Sequence, residues 1–117
     1  MTWPWWLPFG RVPEVSADEL SDMLRDGGAQ LIDVRTPVEF AAGHVAGARN
    51  VPMYTLRQAL ASLALDPNCP VVAICATAHR SPPAVRLLRA AGYKSAMQLK
   101  GGMLSWIAAR RPVTRTK

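Results

Sequence analysis

The residues best suited to chemistry form the run Cys75-Ala76-Thr77-Ala78-His79-Arg80-Ser81. It follows a continuous apolar segment, Val71-Val72-Ala73-Ile74, and precedes a helical one, Pro83 to Ala91, stopped by Gly92. An apolar run bounded by turn signals is the pattern of a central strand covered on both faces. Such a strand delivers Cys75 to its C-terminal end, where open α/β sheets bind ligands. The helix after the loop points its N-terminus back at the cysteine, and the partial positive charge there favours thiolate over thiol. Arg80 adds a full positive charge. A thiolate is a nucleophile, so covalent transfer is the chemistry expected of Cys75. The competing reading at this level is a structural cysteine that ends a buried strand as a small hydrophobe.

Pro82 and Pro83 have no N–H group, so the first turn of that helix cannot supply all the donors that usually hold an anion. The loop then becomes the donor. If Ala76, Thr77, Ala78, His79, Arg80 and Ser81 curl around the Cys75 sulfur, their backbone N–H groups form a concave nest suited to a terminal persulfide anion.

Several elements must position this loop. Short β-like runs alternate with helical ones, an order that favours a parallel sheet with crossover helices. A strand is expected over Val12 to Val15, followed by a helix that Ser16-Ala17-Asp18-Glu19 opens as a capping box and Gly27-Gly28 ends. Leu31 to Val34 reads as a buried strand. Thr36-Pro37-Val38-Glu39 repeats the capping box with proline at the first helical position, which predicts a short helix over Pro37 to Ala42. Gly43 and Gly47 bracket a turn, Ala48 to Val51 can add a short strand, and Leu56 to Leu65 has helical apolar spacing. Asp66-Pro67-Asn68 is a turn. After the loop and its helix, Ser95 to Leu99 is the last strand and Met103 to Arg110 the last helix, with Pro112 stopping it.

A chain of 117 residues, half of them hydrophobic, closes one core and is too short for two ordinary domains. The expected organisation is a Trp/Pro-rich arm over 1–11, one domain over 12–113 and a basic tail over 114–117. The arm reads either as an anchor for an interface or as a segment packed on its own domain. No apolar run reaches the roughly 20 residues of a membrane span. Cys69 and Cys75 are too few for a disulfide scaffold, and the strand between them holds them beyond the roughly 7 Å reach of a disulfide. With no export signal in view, a reducing, cytoplasmic compartment is expected.

Net charge is +6, and all eight acidic residues lie at or before Asp66. The stretch after it carries nine basic residues, among them Arg80, Arg86, Arg89 and Lys94, a field that attracts small anions. These residues are spread along helices and a tail without interleaved aromatics, which argues against nucleic acid as a partner.

Three segments together resemble the rhodanese family. They are Asp33-Val34-Arg35 with Glu39-Phe40 and Gly43-His44-Val45-Ala46-Gly47-Ala48-Arg49-Asn50-Val51-Pro52; the loop Cys75 to Ser81; and Gly101-Gly102-Met103-Leu104-Ser105-Trp106. In order and spacing they span nearly everything after Val12. The resemblance implies a rhodanese-like α/β fold, a mainly parallel five-stranded sheet with helices on both faces. It places the catalytic cysteine on Cys75 and the loop arginine on Arg80. Four residues separate the two, the loop length of sulfurtransferases. Related cell-cycle phosphatases and arsenate reductases have one residue more, which widens the loop for a tetrahedral oxyanion.

Ala78 stands where the family usually has glycine, and a Cβ there resists positive φ at a cost of about 1 kcal/mol. His79 replaces a small polar residue and either bonds a substrate or stands exposed. Asp33, Arg35, Glu39 and His44 are read as supports of the site: Glu39 as a cap, Asp33 and Arg35 as ion-pair partners that fix loops, His44 as a turn residue bonded to backbone. No metal site is expected, because Cys69, Cys75, His44 and His79 lack the paired spacing metals favour.

The implied function is transfer of a sulfane sulfur from thiosulfate or a persulfide donor to a thiol, a protein persulfide acceptor or cyanide. It proceeds through a Cys75 persulfide without a cofactor. A non-catalytic rhodanese-like binding module and a cysteine-dependent phosphatase or arsenate reductase are the alternatives.

Overall fold

A computed structural model describes residues 12–116 of the chain. The arm expected over 1–11 and the last residue of the expected tail lie outside the described residues.

Five strands, β1 (Glu14–Val15), β2 (Gln30–Asp33), β3 (Arg49–Asn50), β4 (Val71–Ile74) and β5 (Ala96–Leu99), form one sheet in the order β1-β5-β4-β2-β3, and every neighbouring pair is parallel. The continuous apolar run took the central place expected of it. All four β4 residues are buried, and such a strand must be apolar on both sides. The helices are α1 (Ala17–Arg25), α2 (Pro37–Ala42), α3 (Met53–Ala59), α4 (Ser81–Ala90) and α5 (Gly102–Ala108).

The two faces of the sheet bury separate clusters. On one, Ile32, Val71, Ala73, Cys75 and Ala96 pack with Leu56 of α3 and Ala84, Val85 and Leu88 of α4. On the other, Leu31, Val72, Ile74 and Leu99 pack with Leu20 of α1 and Met103 and Trp106 of α5. Alternation along β4 sends Ala73 and Cys75 to the α4 side and Val72 and Ile74 to the α5 side.

Both capping boxes form as expected. The Ser16 hydroxyl accepts from Glu19 N–H at 3.0 Å while Glu19 Oε1 accepts from Ser16 N–H at 2.9 Å. The Thr36 hydroxyl and Glu39 repeat the exchange at 3.3 and 3.0 Å, with Pro37 opening α2. Each box satisfies amides that the helix leaves unpaired.

Some boundaries differ from the sequence expectation. β1 is only Glu14–Val15, since Pro13 has no N–H to extend the ladder with β5. α3 begins at Met53, after Pro52 with φ −52°, and passes into a 3-10 turn over Leu60–Ser62. Helix does not reach Leu65, because Leu63 turns to extended backbone and buries its side chain in the core. α4 starts at Ser81, two residues before Pro83, with both prolines in its first turn, where their missing N–H groups have no helical role.

The last described residues are tied back to the domain. Trp106 Nε1–H donates to the Pro112 carbonyl at 2.8 Å. His44 and Thr114 exchange backbone hydrogen bonds at 2.8 and 2.7 Å, and Thr116 N–H reaches the Ala41 carbonyl at 3.0 Å. Among the described residues no helix is long and apolar enough to cross a membrane.

Candidate active site

Cys75 leaves the C-terminal end of β4, and residues 76–80 form one continuous bend before α4 begins. The bend is anchored from behind by α5. Met103 N–H donates to the Cys75 carbonyl at 2.8 Å and Leu104 N–H to the Ala76 carbonyl at 3.0 Å. In a trans peptide the carbonyl and the next N–H point in opposite directions, and no peptide here is cis. With both carbonyls drawn toward α5, the N–H groups of Ala76 and Thr77 are aimed away from it. Among the described residues, the backbone N–H groups of Ala76 through Arg80 donate to no other group. A row of unpaired amides on one bend is a set of donors that an anion can satisfy.

This anchoring requires glycine at 102. A Cβ there would lie 2.3 Å from the Cys75 carbonyl oxygen and 2.7 Å from the Ala76 carbonyl carbon, and the residue has φ +61°. Ala78 supplies the curl of the bend with φ +67°, so it carries the left-handed strain expected of it, about 1 kcal/mol. Thr77 and His79 are exposed on the rim, Ala76, Ala78 and Arg80 are half-buried, and Cys75 has no exposed surface.

Ser81 belongs to α4 and is buried. Its Oγ lies 3.4 Å from Cys75 Sγ and donates to Gln98 Oε1 at 2.7 Å, while Gln98 Nε2 donates to Glu14 Oε2 at 3.0 Å.

Arg80 does not stand as a free charge. Its Nη1 and Nη2 donate to the two carboxylate oxygens of Glu39 at 2.7 and 2.9 Å. Glu39 thus caps α2 and holds the loop arginine with one side chain. The Arg80 bond, helped by Thr36, lowers the Glu39 carboxyl from 4.5 to about 2 against the opposing effect of partial burial. Glu39 raises Arg80 in turn, and Cys75 and Asp33 add to that at longer range.

A pH dependence follows from the Glu39–Arg80 pair. The folded-state carboxyl lies below its unfolded value, so its contribution to stability is fully present above about 4.5 and fades as pH falls toward about 2. Denaturant midpoints of wild type should drop across this window, and Glu39→Gln should make that fall shallower. The pair is about a third exposed, so the effect is modest.

The remaining supports hold the neighbouring turn. Asp33, fully buried at the end of β2, pairs with Arg35 through Nε at 2.9 Å and Nη2 at 2.8 Å, and Arg35 Nη2 also donates to the Gly43 carbonyl at 2.7 Å. A buried charge pair is tolerable when its remaining donors and acceptors are used, as here. Asn50 Nδ2 reaches the carbonyls of Asp33 and Arg35 at 3.1 and 2.9 Å. His44 Nδ1 contacts the Phe40 carbonyl at 2.8 Å, and its ring stacks on Phe40 with centroids 3.7 Å apart.

Sequence reasoning gave no role to Asn50, Gln98, Glu14 or Gly102. Gln98 carried the clearest signal, as a lone amide inside the strand Ala96-Met97-Gln98-Leu99.

Cys69 and Cys75 are both free. The Cys69 thiol is 3.3 Å from Asp66 Oδ2, and that carboxylate raises it, keeping it in the protonated form. Among the described residues no cluster of three or more His, Cys, Asp or Glu side chains could hold a metal ion.

A family profile described as the rhodanese-like domain matches residues 16–109. The chain is 44% identical over 78 residues to the uncharacterised protein YqhL of Bacillus subtilis, which spans 67% of this chain and 60% of that protein. It is 32% identical over 90 residues to the thiosulfate sulfurtransferase GlpE of Pseudomonas aeruginosa, covering 77% and 80% of the two chains. Among solved structures, the human single-domain sulfurtransferase TSTD1 superposes with a TM-score of 0.70 at 32% identity, over 82% of this chain and 96% of that one. A rhodanese-related protein of Thermoplasma volcanium gives 0.78 at 29% identity, over 87% and 97%. The match runs through the cysteine loop and the segments that brace it, and on it this chain belongs to the rhodanese-like domain family, which includes sulfurtransferases.

Proposed function

We propose that the protein is a thiosulfate sulfurtransferase that carries sulfur on Cys75. The observation that carries this reading is the bend of residues 76–80, which directly follows Cys75 at the end of β4 and whose amides have no acceptor of their own among the described residues. A persulfide places its negative charge on the outer sulfur, one bond beyond Sγ. Amides without internal partners stabilise such a charge at no cost in broken hydrogen bonds.

The reaction has two displacements. The Cys75 thiolate attacks the outer sulfur of thiosulfate; a new S–S bond forms, the original S–S bond breaks, and sulfite leaves with the electron pair. A thiolate or cyanide then attacks the outer sulfur of the Cys75 persulfide. Sulfur passes to the acceptor, and the Cys75 thiolate leaves with the electrons of the broken bond. Charge and atoms balance in both steps with no added oxidant, reductant, metal or organic cofactor.

In this scheme Cys75 is the nucleophile, and Ala76, Thr77, Ala78, His79 and Arg80 hold the anion through backbone N–H groups. Arg80 adds charge near the sulfur, moderated by Glu39. Asp33, Arg35, Glu39 and His44 keep the surrounding turns in place. The acceptor is a small thiol or a protein thiol, and the free cysteines suit a reducing compartment such as the cytoplasm. Four residues between Cys75 and Arg80 favour sulfur transfer over phosphate or arsenate chemistry, by resemblance to the shorter of the two related loops.

Purified protein given thiosulfate and cyanide should release sulfite and thiocyanate in equal amounts with repeated turnover. Hydrolysis of a phosphate ester in place of that turnover would assign the loop to the other chemistry.

A further inference from the structure

Behind Cys75 lies a directed polar chain for which the two displacements have no use. Gln98 of β5 faces the same side of the sheet as Ala73, Ala96 and Cys75, under α4, and is 7% exposed. An amide in that apolar setting is costly unless both its ends are bonded, and an aliphatic side chain would pack there with no such requirement. Both ends are in fact bonded, to Glu14 and to Ser81.

The partners also settle which way the amide points. A carboxylate has no proton to give, so the NH₂ end must face Glu14 and the carbonyl end must face Ser81. The hydroxyl of Ser81 has one proton. With that proton given to Gln98, Ser81 presents only lone pairs to Cys75 Sγ, 3.4 Å away. The sulfur can donate an S–H to Ser81 but receives no hydrogen bond from it.

We infer that Gln98, oriented by Glu14, is a positioning residue that turns the Ser81 proton away from Cys75, so that negative charge is opposed on Sγ and left unopposed on an outer sulfur. Persulfide and thiol both satisfy the chain as it stands, because neither puts charge on Sγ. A thiolate at Sγ can gain the Ser81 proton only if the bond from Ser81 to Gln98 breaks. The chain therefore favours the sulfur-loaded state over the free thiolate. It also slows unloading, in which the Cys75 thiolate is the leaving group. Among the described residues, charged or titratable groups near the cysteine loop include His79 on its exposed rim, Arg80 with Glu39 at the start of α4, and Asp33 with Arg35 at the end of β2. From α5 the contact is made by Gly102 and the Met103 and Leu104 backbones, which carry no charge.

The kinetic consequence rests on the sulfur-transfer reading above, but the direction of the Ser81 proton does not. The test is therefore made without any sulfur donor. Thiolate ultraviolet absorbance of the full chain is followed against pH and read as the difference from the matching Cys75→Ser protein, which removes the Cys69 signal. In Gln98→Met the Ser81 hydroxyl is released toward the sulfur, and the midpoint of the Cys75 transition should fall by about one pH unit. In a Ser81→Ala background the same Gln98→Met change should have no effect on the midpoint.

Glu14→Gln, at the exposed end of the chain, should shift the midpoint in the same direction by a smaller amount, and it serves if Gln98→Met does not fold. An unchanged or raised midpoint in the folded variant overturns the inference. So does an equal shift with Ser81 absent. Either result leaves the sulfurtransferase reading standing, and failure of sulfur transfer leaves the midpoint experiment interpretable.

Discussion

Cys75→Ser removes sulfur transfer from thiosulfate to cyanide, with a fall on the order of 10³-fold or more, as expected when an acting nucleophile is deleted. A serine hydroxyl is not ionised near neutral pH and forms no oxygen–sulfur analogue of the persulfide, so both displacements are lost together. The substitution changes one atom in a fully buried site whose polar neighbour, Ser81 Oγ, can also bond a hydroxyl. Stability should therefore change by no more than about 1 kcal/mol. Transfer rates and denaturant midpoints measured on the same preparation separate the two effects. A non-catalytic binding module predicts the opposite pattern, since it has no rate to lose.

The second large effect is expected at Gly102, which touches no reactant. Gly102→Ala would place a methyl group 2.3 Å from the Cys75 carbonyl oxygen, and the obstacle is backbone on both sides. Neither the bend nor α5 can yield without losing the bonds from Met103 and Leu104 to the Cys75 and Ala76 carbonyls. The left-handed φ adds its own strain. A loss of about 2–4 kcal/mol in stability is expected, with transfer reduced at least about tenfold at temperatures where the variant is still folded. Gly47→Ala is the control. Gly47 also has positive φ, +86°, but nothing lies within 4 Å of the position its Cβ would take. That variant should cost only about 1 kcal/mol and leave the rate unchanged. Equal effects of the two substitutions would show that strain alone, without the contact to the cysteine loop, explains the loss.

The parts of this fold that were legible in the amino-acid sequence are those governed by neighbours along the chain. The central strand was readable because Val71 to Ile74 is apolar without interruption, and two helix starts because serine or threonine stands three residues before glutamate. Ala78 could be marked as strained only through the resemblance, because the family usually has glycine at that loop position and a side chain at a left-handed position carries a cost.

What escaped was set by contacts between distant residues. Glu39 was readable as a cap, but its hold on Arg80, 41 residues away, depends on how α2 meets the start of α4. A free Arg80 charge was the natural expectation from a segment with no acidic residues, and the carboxylate that moderates it comes from the other half of the chain. Gln98 and Glu14 are 84 residues apart and meet only because β1 and β5 are adjacent strands in register. Ser81 looked like loop until the two prolines after it were found inside the first turn of α4. The Gly101-Gly102 pair was visible as part of a family signature, yet its physical reason lies in the carbonyls of Cys75 and Ala76.

Sulfur transfer through Cys75 is tested most directly by where the sulfur comes to rest. Protein exposed to thiosulfate, freed of small molecules and examined intact and after digestion by mass spectrometry should carry one added sulfur on the peptide that contains Cys75. Cyanide should then remove it. Sulfur found on the Cys69 peptide instead, or no added mass under conditions where sulfite is released, would contradict the account.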